Sequence, residues 1–236
     1  MTTPERPVPF GAGAGTAPTT EQVWYASYGS NMDLARLAYY LCGGRPAGAV
    51  WTNPGCRDPR PPGRSLPVLL PGQLYFALES TAWTGGVAFH DPLDPGEMPA
   101  VAHLVSGRQF SDIAAQETRR GPGEDLDLRA VLAHGLVRLG PEPYRTLYCP
   151  GLLDGRAVLT FTAPWRSAGA ALNSPAAAYL GHLAAGLREV HGWGAERIGE
   201  YLSGRPGAAG AWSAAEVAGL PQAGGRPERK IPGPPP

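Results

Sequence analysis

The stretch Val23-Trp24-Tyr25-Ala26-Ser27-Tyr28-Gly29-Ser30-Asn31-Met32-Asp33-Leu34-Ala35-Arg36-Leu37 decides how the chain is read. Its first six residues are bulky, aromatic or β-branched for the most part, the composition of a buried strand. Gly29-Ser30-Asn31 breaks the run. Leu34, Leu37 and Leu41 then recur at helical spacing until Gly43-Gly44 ends the pattern. The unit is a strand, a tight turn and a helix. A turn of this kind exposes backbone N–H groups and the positive end of a helix dipole, which suits a carboxylate or phosphate. Ser30 or Asn31 serving only as a helix cap accounts for the same residues without a ligand. The spacing is neither a P-loop nor a dinucleotide-binding GxGxxG.

Downstream, a long Pro- and Arg-rich loop is expected from Pro46 to Pro71, followed by short strands at Gln73–Leu78, Gly86–His90 and Pro99–Val105. Ser106-x-x-Gln109 is a capping-box pattern opening a helix that carries Phe110, Ile113, Ala114 and Glu117. Leu126, Leu128, Ala130 and Leu132 alternate like a strand, and Tyr144–Cys149 and Arg156–Ala163 read as two more. Ser174-Pro175 reads as an N-cap with proline at the first helical position, ahead of an apolar face of Tyr179, Leu183, Leu187 and Val190. A last short helix holds Ile198 and Leu202. Many strands with too little helix between them for repeated βαβ units give an α+β class, a small mixed β-barrel with flanking helices. Residues 1–21 are expected to be a disordered arm, 22–204 the domain, and 205–236 a flexible Pro/Gly-rich tail.

Composition narrows the function. Twenty basic and twenty acidic residues cancel, whereas a nucleic-acid binder usually carries a basic excess. Cys42, Cys56 and Cys149 are odd in number with no CxxC spacing, which fits reduced thiols in a cytoplasmic protein better than a disulfide framework or zinc site. No apolar run has the length and character of a membrane span or a secretory signal. The five histidines lack metal-ligand spacing, and the serines lack a GxSxG elbow, so no metal is expected.

Two further candidates remain. Glu117 lies seven residues after Phe110 and four after Ile113, on the apolar face of its own helix. It is either exposed at a fraying end or aimed into a pocket, where burial would make it a proton acceptor near neutrality. Trp83-Thr84-Gly85-Gly86-Val87-Ala88 enters a strand through two glycines, as a hairpin turn or as a pocket wall built from Trp83, Gly85 and Gly86.

Taken together these segments resemble the γ-glutamylcyclotransferase family. They are Ser27-Tyr28-Gly29-Ser30-Asn31-Met32, Trp83 to Ala88, the strand and helix ending at Glu117, and Tyr179 seven residues before Gly186-x-Arg188-Glu189. The resemblance implies the small cyclotransferase barrel. It also implies a glutamyl α-carboxylate held by the backbone of the loop Tyr28, Gly29, Ser30, Asn31, Met32 and Asp33. Glu117 would be the general base, and Tyr179 would line the pocket. The implied reaction converts a γ-glutamyl amino acid or amine to 5-oxoproline and a free amine, without a cofactor, in a monomer or homodimer. The chain departs from the family pattern at Thr118, where glycine is usual, and at Pro122-Gly123-Glu124-Asp125, where a tyrosine is common. Two alternatives stand beside it: a non-catalytic binding or interaction protein on the same scaffold, and an enzyme removing a γ-glutamyl protecting group from a larger amine.

Overall fold

The computed structural model describes residues 3–9, 19–46, 51–80 and 83–221. Strand β1 (Gln22–Ser27) sits in the middle of a six-stranded mixed sheet. It pairs antiparallel with β5 (Glu97–Ser106) and parallel with β8 (Arg156–Thr162). Beyond β5 lies β2 (Ser65–Pro71); beyond β8 lie β7 (Thr146–Leu153) and the short β6 (Leu136–Arg138). Strands β3 (Gln73–Ala77) and β4 (Val87–Asp91) form a separate antiparallel hairpin. The fold is α+β, a central sheet with helices on both faces.

Alternation along β1 builds both halves of the core. Trp24, Ala26 and Tyr28 join one apolar cluster; Val23 and Tyr25 join the other. The first cluster is covered by α4 (Ala177–Glu189), α5 (Ala195–Ser203) and α6 (Ala214–Ala218). The second is covered by α1 (Leu34–Cys42), α2 (Gly107–Glu117) and α3 (Arg129–His134). The link between β1 and α1 is a single 3₁₀ turn, Ser30–Met32. Helix α4 packs against that turn through Gly186, where any side chain would run into Met32. This close approach fixes the turn relative to Tyr179, two helical turns earlier on α4.

The strand–turn–helix unit, the Ser106/Gln109 capping box and the apolar face of α4 lie where the sequence puts them. Several expectations do not hold. The alternating run of Leu126, Leu128, Ala130 and Leu132 is not a strand: residues 129–134 are helix α3, since so short an apolar alternation fits either period. Ser65–Pro71 is strand β2 rather than loop; its Pro67 and Pro71 are tolerated because β2 is an edge of the sheet. Helix α4 starts at Ala177 with Ala176 as its cap, while Pro175 bridges to Gly85.

Both chain ends were expected to be loose from the domain, and their described parts pack onto it. Glu5 bonds to Pro67 and Leu69 on the outer edge of β2, and Val8 exchanges two backbone bonds with Leu152 of β7, beyond the short reach of β6. Residues 5–8 thus link the two open edges of the sheet. Arg6 adds an ion pair to Glu97. At the other end, Ala208 and Val217 are buried with α5, and the Trp212 indole donates to the Pro175 carbonyl. The residues expected to be disordered at 10–18 and 222–236 lie outside the described residues. Among the described residues no helix is long and apolar enough to cross a membrane.

Candidate active site

The end of β1, the 3₁₀ turn, α1, the last turn of α2 and the start of α4 converge on a cavity of about 170 Å³. Tyr28, Gly29, Ser30, Asn31, Trp83, Glu117 and Tyr179 all line it, brought together from segments as much as 151 residues apart. Glu117 is the last residue of α2, and there it turns inward instead of fraying. Its carboxylate accepts a 3.3 Å hydrogen bond from the Asn31 side-chain amide and another from the Tyr40 hydroxyl. Burial pushes the carboxyl above the ordinary glutamate value of 4.5; Tyr40, the nearby Arg36 charge and Asn31 pull the other way. The carboxylate and the turn that follows β1 are therefore one site.

Each loop residue has its own task. The Tyr28 hydroxyl donates to the Phe161 carbonyl, tying the turn to β8. The Asn31 carbonyl is bonded at 3.0 Å to Nε2 of His103, whose Nδ1 faces the Ser65 hydroxyl at 2.8 Å. Burial drops His103 to about 4, so near neutrality the ring is uncharged and acts as a fixed strut between β5 and the turn. The Tyr179 hydroxyl oxygen accepts a 3.1 Å hydrogen bond from the Ala88 backbone N–H. Gly29 has an ordinary negative φ, and its lack of a side chain accommodates that hydroxyl, which would lie 3.1 Å from a Cβ.

The remaining sequence candidates stand apart from the cavity. Met32 is buried against α4 in the apolar core. Asp33 is the N-cap of α1: its carboxylate accepts from the Ala35 N–H and faces His182 at 2.8 Å. That carboxylate already occupies the helix N-terminus, so neither Ser30 nor Asn31 is the cap. Gly85 and Gly86 are not pocket wall. Gly85 is left-handed (φ 66°), and both glycines lie so close to the backbone of residues 173–175 that no side chain would fit.

Other lining residues carry no local sequence signal of function. Arg36 on α1 stacks over the Tyr40 ring at 4.9 Å and near Trp83 at 5.9 Å. The Gln116 amide ties α2 to the Tyr40 and Gly55 carbonyls, and Tyr144 hydrogen-bonds the Ala88 carbonyl from its hydroxyl. Polar atoms without a hydrogen-bond partner among the described residues concentrate here: Asn31 Oδ1, Arg36 Nε and Nη1, Gln116 Oε1 and Thr160 Oγ1. A buried polar atom left unpaired costs about 1–3 kcal/mol, so such a group of them marks space shaped for a polar ligand. A second, more open cavity of about 490 Å³ adjoins the first and shares Ser80, Val87, Glu117, Arg119 and Tyr144 with it. Glu117 stands at their junction. Among the described residues no group of three or more His, Cys, Asp or Glu is arranged to hold a metal ion.

No protein-family model matches the chain. A curated relative, histone deacetylase 5 of Arabidopsis thaliana, is 32% identical over 187 residues, covering 71% of this chain and 28% of that protein. The chain therefore spans little more than a quarter of that relative's length. Solved structures similar to it include a gamma-glutamyl cyclotransferase, 15% identical over 84% of this chain and 96% of that one, with a TM-score of 0.46. An uncharacterized protein from Homo sapiens is 17% identical with the same coverage and a TM-score of 0.45. YkqA from Bacillus subtilis is 18% identical over 78% of this chain and 55% of its own, with a TM-score of 0.42.

Proposed function

We propose that the chain is a γ-glutamylcyclotransferase-like enzyme in which Glu117 is the general base. The observation that carries this reading is the position of Glu117: hydrogen-bonded to Asn31 of the turn after β1, at the mouth between a small polar cavity and a larger open one. At about 170 Å³ the inner space is below the roughly 300–1,000 Å³ that drug-sized ligands occupy, which suits a single glutamyl group. The outer space of about 490 Å³ receives the amine that leaves.

In the reaction the substrate's α-ammonium gives a proton to Glu117, and the free amine attacks the γ-amide carbonyl. A C–N bond closes the five-membered lactam as the old γ-amide C–N bond breaks. Once the new bond has formed, the attacking nitrogen sheds a second proton, and both protons pass by way of Glu117 to the departing nitrogen, which leaves as an ammonium while the lactam keeps a single N–H. Atoms and charge balance without a covalent enzyme intermediate. Folding the glutamyl chain so that amine and carbonyl meet supplies much of the acceleration; well-oriented intramolecular attack is worth about 7–11 kcal/mol. Proton transfer by a positioned carboxylate adds about 10²–10⁴-fold. A carboxyl held above its ordinary value takes up the ammonium proton more readily than an exposed glutamate. Tyr179 completes the arrangement. Its oxygen accepts from the Ala88 N–H, so its own proton is free to turn to the γ-carbonyl oxygen as charge develops there.

The test is release of 5-oxoproline from a panel of γ-glutamyl amino acids and γ-glutamyl amines, with wild type and Glu117→Gln side by side. Turnover by wild type and a 10²–10⁴-fold loss in the variant is expected. Binding of panel compounds without any turnover would favour a non-catalytic binding protein on this scaffold.

A further inference from the structure

Arg36 is hard to account for as part of the fold. It occupies the first turn of α1, where the helix dipole disfavours a positive charge. Only 7% of its surface is exposed, yet Nε and Nη1 find no hydrogen-bond partner among the described residues. The aromatic rings of Tyr40 and Trp83 hold the guanidinium in the cavity wall without satisfying its N–H groups. A guanidinium is always charged, and buried N–H groups left without an acceptor are costly even where, as here, the Glu117 carboxyl lies near enough to feel the charge. Such a side chain is explained by an anion that arrives with the ligand.

The backbone of the turn offers a second set of donors, part of which is committed elsewhere. The Met32 N–H bonds the Gly29 carbonyl, the Asp33 N–H the Ser30 carbonyl and the Ala35 N–H the Asp33 carboxylate, whereas Gly29, Ser30 and Asn31 line the cavity. We infer that Arg36 is the side-chain anchor for the ligand's carboxylate, receiving it on a guanidinium whose Nε and Nη1 the protein leaves open. Each of these pairs with Nη2 in a planar fork, Nε with Nη2 along one edge and Nη1 with Nη2 along another, and either fork matches a carboxylate in two parallel bonds. The unpaired acceptors Asn31 Oδ1 and Gln116 Oε1, with the Glu117 carboxyl in the same cavity lining, are the complementary half, suited to an ammonium. The cavity is thus a receptor for the zwitterionic head of an α-amino acid. The identity of that head as glutamyl rests on the reading above; the anchor itself does not.

Two measurements separate these. First, binding of L-glutamate and of 5-oxoproline is measured by calorimetry for wild type, Arg36→Gln and Arg36→Lys. Wild type is expected to bind, Arg36→Gln to bind about 10²-fold more weakly or worse, and Arg36→Lys to recover part of the loss because it keeps the charge but not the fork. Melting of each variant checks that it is folded. Second, the best substrate of the panel is compared with its analogue in which the glutamyl α-carboxylate is a carboxamide. Wild type is expected to prefer the carboxylate about 10²-fold in kcat/KM, and Arg36→Gln to lose that preference. If wild type releases no 5-oxoproline but binds either ligand in an Arg36-dependent way, the proposed reaction falls and the anchor stands. Equal binding by wild type and Arg36→Gln, undiminished carboxylate preference in the variant, or no binding of either ligand by wild type overturns the anchor.

Discussion

Glu117 carries opposite consequences for catalysis and for stability. Burial raises its pKa, so the folded protein holds a proton that the unfolded chain gives up at lower pH. Stability from this residue is therefore greatest below about 4.5 and falls as pH rises through the elevated value. Gln keeps the shape and an acceptor oxygen for Tyr40 but never ionises. Glu117→Gln should raise the melting temperature at pH 8, and the gain should shrink toward zero as the pH is taken below about 4.5. An equal gain at both pH values would mean that packing, not the proton, is responsible; no gain would mean the carboxylate is well solvated. The same burial that makes Glu117 a usable base makes it a cost to the fold, as functional residues often are.

The end of helix α2 shows how an element presents such a residue. The Arg120 N–H bonds the Ala115 carbonyl and the Arg119 N–H bonds that of Gln116, a Schellman closure in which the left-handed position is held by Arg119 at φ 56°. Glycine is the residue suited to that position. Comparing Arg119→Gly with Arg119→Ala isolates the backbone, since both remove the contact of this side chain with the Trp51 ring. The Gly variant should be the more stable by about 1 kcal/mol, or about 2–4 °C in a domain of this size. Ala equal to Gly would show that the closure opens in solution. Elements of this local kind were legible in the sequence: the capping box at Ser106 and Gln109, the break at Gly29, and Glu117 on the apolar face of its helix all depend on residues a few positions apart. What the sequence hid depends on distant partners. Pro67 and Pro71 disguise β2, whose strand character comes from pairing with β5. Asp33 as a cap looks like any other polar residue after a turn. Arg36 reads as a surface residue on an amphipathic helix until Tyr40, Trp83 and Glu117 are brought around it.

Across the whole molecule, acid should unfold the protein in a window set by buried histidines. His90 and His103 are both buried and both lowered to about 4, while the unfolded chain protonates them near 6.5. Their contribution is complete above 6.5 and is lost as pH falls toward 4, about 3 kcal/mol for each. Denaturant melts at pH 7.5, 5.5 and 4.5 should show a steady loss; a flat profile would mean that the two rings admit water. The lowered carboxyls, such as Asp91 beside Arg166, act only below this range. The same sheet that buries these rings is completed by the chain's first residues. Residues 5–8 satisfy one uncovered edge at β2 and another at Leu152 of β7, through four backbone bonds. Each such bond is worth about 0.5–1.5 kcal/mol net, and fixing the backbone of the segment costs about 1–2 kcal/mol per residue. The two nearly cancel, so deleting residues 1–9 should lower the melting temperature by only a few degrees. The larger effect should be on association, because the deletion exposes two unpaired strand edges at once. Light scattering of the truncated protein should show concentration-dependent self-association that the full chain lacks. A truncated protein that stays as dispersed as the full chain would show that the prolines of β2 and the break in β7 register between Tyr148 and Gly151 protect those edges without the N-terminal segment.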